Sequence, residues 1–160
     1  MLEEFETLAQ QLGLKCRANG LVLATAESCT GGLVSGAITM VPGSSQWFDR
    51  GFVTYSNHAK QSLLGVSDQI LSQYGAVSEE TAAAMVEGAL LHSKANLSLA
   101  ITGVAGPDGG TPDKPGGTVC FAWGFADRPT QVKRTYFPGG RSQIRSESVK
   151  YSIENLLFML

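Results

Sequence analysis

Three short polar segments of this 160-residue chain carry side chains suited to chemistry. The first is Glu27-Ser28-Cys29-Thr30-Gly31-Gly32. It follows a run of apolar and β-branched residues and precedes a helical stripe, so it lies where a strand hands over to a helix. Backbone N–H groups are unpaired at such a turn, and the helix dipole favours negative charge. A hydroxyl at Ser28 could attack a carbonyl while nearby amides hold the oxyanion. Ser28 or Thr30 could equally do no more than cap the helix, and the segment taken alone favours that reading. There is no G-x-S-x-G elbow. Cys29 is a competing nucleophile, but an isolated cysteine is more often packed than reactive.

The second segment is Tyr55-Ser56-Asn57-His58-Ala59-Lys60. With Asn57 as a helix cap, Lys60 falls in the first turn, where a cation opposes the dipole and its pKa drops. Partial burial would lower it further, and a neutral lysine can act as a general base. The alternative is a solvated lysine. His58 and His92 have no partner in the pattern, and His92 reads as a helix-end residue. The third segment, Thr102-Gly103-Val104-Ala105-Gly106-Pro107-Asp108-Gly109-Gly110, opens a long loop. Its glycines let backbone N–H groups approach a phosphate. It is neither a Walker loop nor a dinucleotide fingerprint, so an irregular connection is the alternative. Asp108 could bind a sugar hydroxyl or close a turn. Arg141 and Arg145, at the start of the last helix, could pair with a phosphate or simply face solvent.

The elements that must position these segments follow from periodicity. Leu2, Phe5, Leu8, Leu12 and Cys16 recur at helical spacing, which predicts a helix over 2–18. Strands are expected at 21–27, 51–56, 97–102, about 118–125 and about 130–137. Helices are expected from Leu33 to about Val41, from Asn57 to Leu64, from Ser67 to Gly75, from Ser78 onward, and at the C-terminus. Strands alternating with helices predict a single three-layer α/β/α domain with a mostly parallel sheet. In such sheets ligands bind beyond the carboxyl ends of the strands, and all three polar segments lie there.

Composition narrows the function. The formal net charge is -2, and no clustered basic face is expected for nucleic acid. No apolar stretch approaches a membrane span, and no leader segment is recognisable. The three cysteines, Cys16, Cys29 and Cys120, lack the spacing of a disulfide framework or a zinc site, so neither a metal nor a cofactor is expected. A cytoplasmic setting is expected, and a homodimer is expected from the apolar content of so small a sheet domain.

Taken together, T-A-E-S-C-T-G-G at 25–32, P-G-S-S at 42–45 with W-F at 47–48, R-G-F-V-T-Y-S-N at 50–57 with Lys60, G-A-V-S at 75–78, T-G-V-A-G-P-D-G-G at 102–110 and K-P-G-G-T-V at 114–119 resemble the CinA C-terminal domain family. The chain is similar above all to its stand-alone members, the nicotinamide-nucleotide amidohydrolases. The resemblance implies an α/β/α sandwich with a mixed, mostly parallel five-stranded sheet. It implies hydrolysis of nicotinamide mononucleotide to nicotinate mononucleotide and ammonia, a step of pyridine nucleotide salvage. A non-catalytic nucleotide-sensing module of the same fold is the alternative. In the family picture Ser28 is the nucleophile, Lys60 its base and Tyr55 a site tyrosine. Thr30, Gly31, Gly32, Thr102, Gly103, Gly106, Asp108, Gly109 and Arg141 are expected to bind the small-molecule nucleotide. With one helix before the first motif, no additional N-terminal domain is expected. The chain departs from the family pattern at Gly116, where a branched apolar residue is expected.

Overall fold

The computed structural model describes residues 2–160. A single 3-10 turn, Leu2–Phe5, leads into helix α1, Glu6–Ala18. The alternation then runs β1 (Leu23–Glu27), α2 (Leu33–Ile38), β2 (Phe48–Val53), α3 (Asn57–Leu64), α4 (Asp68–Tyr74), α5 (Glu79–Leu91) and β3 (Leu97–Gly103). Strands β4 (Thr118–Phe125) and β5 (Gln131–Tyr136) and the long helix α6 (Arg141–Met159) complete the chain.

The five strands form one sheet in the order β2-β1-β3-β4-β5. β1 pairs in parallel with β2 and β3, while β4 and β5 add antiparallel neighbours beyond β3. The sheet is mixed, and its parallel part bears the polar segments. Side chains alternate between the two faces with period two. Leu97, Leu99, Ile101, Phe121 and Trp123 point to one side, where they meet Leu12 and Cys16 of α1, Val34 and Ile38 of α2, and Ile153 of α6. The other face is built from small residues, Ala24, Ala26, Ala100, Cys120 and Ala122, against Met85, Val86 and Ala89 of α5. Small residues bring α5 close to the sheet, and Ser98 Oγ donates to Val86 O at 3.1 Å.

Some boundaries differ from the sequence expectation. β2 begins and ends three residues early, at Phe48–Val53 rather than 51–56. Pairing starts where Leu23 N–H donates to Trp47 O at 2.8 Å, and it ends where Thr54 N–H donates to Glu27 O. The cap of α3 is Ser56, whose Oγ accepts from Ala59 N–H at 3.0 Å; Asn57 is the first helical residue. A serine in extended backbone directly before the helix reaches that amide, so the asparagine is not needed there. Ser67 and Ser78 cap α4 and α5 as expected. Helix α2 stops at Ile38, short of Val41.

Candidate active site

The carboxyl ends of β1, β2 and β3 converge on a cavity of about 270 Å³. Ser28 follows the last residue of β1. Lys60, the fourth residue of α3, is 1% exposed and directs its ammonium nitrogen across the end of the sheet. Nζ donates to Ser28 Oγ at 2.9 Å and to Thr54 O at 2.9 Å. Burial draws the Lys60 pKa below its ordinary range, because the low-dielectric surroundings penalise the charged form. The pair therefore holds a hydroxyl against an amine whose pKa is lowered, an arrangement chemically suited to nucleophilic attack with proton transfer.

Neighbouring Cys29 lines the same cavity, but burial pushes its thiol up to about 12. The thiolate is the reactive form, so this cysteine stays protonated and inert near neutral pH. The Ser28 amide donates to Ile101 O at 2.9 Å.

The turn after Ser28 is tied from within. Gly31 N–H donates to Ser28 O at 3.0 Å. Glu27, fully buried, accepts from Thr30 Oγ1 at 2.7 Å, Gly32 N–H at 3.2 Å, Val34 N–H at 2.9 Å, and both the amide and hydroxyl of Ser35 at 3.0 Å. A carboxylate with this many donors sits at the positive end of α2 and satisfies its first amides, so neither Ser28 nor Thr30 caps the helix. The amides of Gly31 and Gly32 are thus used inside the turn. Thr30, Gly31 and Gly32 do not line the cavity.

Tyr55, Thr102, Gly103, Gly106, Asp108, Gly109 and Arg141 do line it, with Ala76 and Val77 forming an apolar side. The Thr102 hydroxyl donates to Ala76 O at 2.7 Å, tying β3 to the loop before α5. Arg141, in the first turn of α6, donates to Gly106 O at 2.9 Å and to the Tyr55 hydroxyl at 2.9 Å. Tyr55 is 60% exposed, so it stands at the mouth of the cavity, linked to Arg141 and not to Lys60 or Ser28.

Three contributions escape sequence reasoning. Glu27 belongs to the first segment, but only the fold shows its carboxylate turned inward. Thr54 acts through a backbone carbonyl, which leaves no mark in residue type. Ala76 and Val77 had a signal in the G-A-V-S motif, without a role attached. Among the described residues no group of three His, Cys, Asp or Glu side chains is placed to hold a metal, and no helix is long and apolar enough to cross a membrane.

Comparison with known proteins bears on this geometry. A family model described as the CinA C-terminal domain matches residues 5–160. The chain is 47% identical to the nicotinamide-nucleotide amidohydrolase PncC of Pseudomonas putida, covering 98% of this chain and 97% of that protein. It is 45% identical to the protein of the same name from Escherichia coli K12, covering 96% and 93%. It is also 62% identical to a protein of Symbiobacterium thermophilum described as competence-damage inducible, but spans only 37% of that longer chain. Among solved structures, competence/damage inducible protein CihA from Agrobacterium tumefaciens superposes with a TM-score of 0.92 at 44% identity, covering 96% of this chain and 93% of that one.

Proposed function

The chain belongs to the CinA C-terminal domain family, and from that premise we propose that it hydrolyses the carboxamide of nicotinamide mononucleotide to nicotinate mononucleotide and ammonia. The names of two relatives matched over nearly their whole length support this reaction class. The observation that carries it is the 2.9 Å contact between buried Lys60 Nζ and Ser28 Oγ in the cavity at the sheet edge. The product would return to pyridine nucleotide salvage.

The steps follow from the geometry. As Ser28 Oγ bonds to the carboxamide carbon, its proton passes to neutral Lys60, and the carbonyl π electrons move to oxygen. The amide of Ser28 is already bonded to Ile101 O, so the oxyanion is assigned to the next amide along the turn, Cys29 N–H. Collapse of the oxyanion breaks the C–N bond, and the Lys60 ammonium protonates the departing group, which leaves as ammonia. Water then adds to the acyl carbon, its proton goes to Lys60, and Ser28 departs with a proton returned from Lys60. Thr54 O holds one hydrogen of Nζ throughout and so fixes the direction of the lone pair. The phosphate meets Arg141 and the amides of the loop after β3 at the mouth, with Tyr55 beside them.

Ammonia release from nicotinamide mononucleotide tests the reading. Turnover is expected in the native protein. Ser28→Ala should lower it by at least about a thousandfold, because the covalent route is lost, while Cys29→Ala remains mild. Nicotinamide riboside should be at least about a hundredfold poorer in kcat/KM, since it forgoes the charge-assisted contacts of the phosphate with Arg141 and the loop amides. Absence of turnover by the native protein, with tight nucleotide binding retained, would leave a binding module of the same fold.

A further inference from the structure

Ser28 heads a turn with two glycines beside the cavity. Gly31 and Gly32 follow it with φ of +57° and +102°, and glycine has the greatest backbone freedom of any residue. Yet a nucleophile must be held close to its attack geometry, since small misplacements of reacting atoms cost large factors in rate. Two charged side chains that do not line the cavity hold this turn. Glu27 gathers the amide side through its bonds to Gly32, Val34 and Ser35. Arg145 takes the carbonyl side: Nε donates to Cys29 O at 3.0 Å, and a terminal nitrogen donates to Thr30 O at 3.3 Å. A peptide unit is planar, so fixing a carbonyl also fixes the N–H opposite it. Two bonds from one rigid guanidinium therefore lock two successive peptide planes.

The geometry points to Arg145 as a positioning residue that holds the backbone behind Ser28 in place without meeting the substrate. The inference rests on the reading of Ser28 as the nucleophile. Helix α6 divides the work over one turn. Arg141 reaches the cavity mouth through Tyr55 and Gly106, while Arg145 grips the outside of the nucleophile turn. Without Arg145, the Cys29–Thr30 and Thr30–Gly31 peptides can rotate beside two glycines. Gly31 N–H, carried by the second of these planes, then slackens its bond to Ser28 O, and the Ser28–Cys29 peptide it ties down shifts, taking Ser28 Oγ out of alignment with Lys60 and turning Cys29 N–H.

The test compares the native protein with Arg145→Ala, Arg145→Lys and Ser28→Ala. Ammonia release from nicotinamide mononucleotide and the rate of Ser28 modification by a fluorophosphonate are both read, with kcat expressed per folded molecule. Arg145→Ala should lower kcat about ten- to a hundredfold with KM within about twofold, because the loss falls on alignment and not on binding. Modification of Ser28 should slow in step, and millimolar guanidinium should restore part of both rates. Arg145→Lys, with a point charge in place of the fork, should fall between; it carries the same comparison should the alanine variant not fold. A kcat within about twofold of native overturns the proposal. So does a rise in KM that accounts for the whole loss, or a fall in kcat with Ser28 modified at the native rate. An active Ser28→Ala would instead overturn the nucleophile reading itself. An inactive Ser28→Ala beside a normal Arg145→Ala removes only the positioning role.

Discussion

Lys60 shows how a residue of ordinary type becomes a chemical group. Its side chain is almost wholly buried, among the large side chains with least exposure. Burial lowers its pKa from the ordinary 10.5, because the low-dielectric surroundings penalise the ammonium, and this moves the residue towards the neutral amine that the proposed proton abstraction requires. In the proposed mechanism Lys60 works when deprotonated, so kcat/KM should rise with pH through an ionisation below 10.5 and fall as Lys60 takes a proton at lower pH. A pH–rate profile measures this. Lys60→Arg should show no recovery at any pH, because guanidinium remains protonated, and an active arginine variant would leave this position an electrostatic role only. Glycines, serine and lysine in a loop pattern are visible in a sequence; the inward turn of Glu27 is not, because a carboxylate ordinarily faces solvent.

At the scale of elements, Lys60 is delivered by α3 and Ser28 by the β1–α2 turn, so the spacing between α3 and its neighbours decides whether they meet. Helix α3 runs only from Asn57 to Leu64, and its end lies against α5 at Gly88. A Cβ on Gly88 would fall on the carbonyl oxygen of Leu64. Gly88→Ala should therefore destabilise the protein by about 1–3 kcal/mol through overpacking, although alanine is the better helix former by about 1 kcal/mol. Urea denaturation reads the first effect. A fall in kcat should accompany it, because α3 moves as a unit and takes Lys60 away from Ser28. Unchanged or increased stability would show that the two helices can separate freely. Both helices are legible in the sequence, α3 from a capping side chain and the Gly65 stop, and α5 from the shared face of Ala82, Val86, Ala89 and Leu90, because these signals are local. The sequence pattern misses that β2 lies three residues early, because that register is settled by pairing with β1, through Leu23 opposite Phe48 and Glu27 opposite Val53.

Across the whole molecule, one face of the sheet is bulky and the other is lined with small side chains, and each carries its own core. All three cysteines are buried within these layers. Burial lifts Cys16 and Cys29 to about 12 and Cys120 to about 11, from an ordinary 9.0. The folded chain thus keeps three protons that the unfolded chain releases once the pH passes 9.0. Their stabilising contribution is full below that point and is lost as pH rises towards the folded values. The melting temperature should decline steeply on the alkaline side. Cys120→Ala, less stable near neutrality because it leaves a small cavity, should show a shallower alkaline decline. Equal slopes for the two proteins would assign the alkaline loss to other groups.

Hydrophobic spacing and the glycine and proline punctuation are local properties, so the sequence by itself determined the order of strands and helices and the three polar segments at the strand ends. It also marked Ser28 and Lys60 as candidates, through residue type and position at the starts of helices. Only the tertiary structure decided that they meet, across 32 residues of chain, because that distance depends on β1, β2 and α3 packing together. The same holds for the grip of Arg145 on Cys29 from 116 residues away and for the link from Arg141 to Tyr55. Burial, which lowers the pKa of Lys60 and raises that of Cys29, is a property of the packed layers and has no value for a residue considered in its own segment.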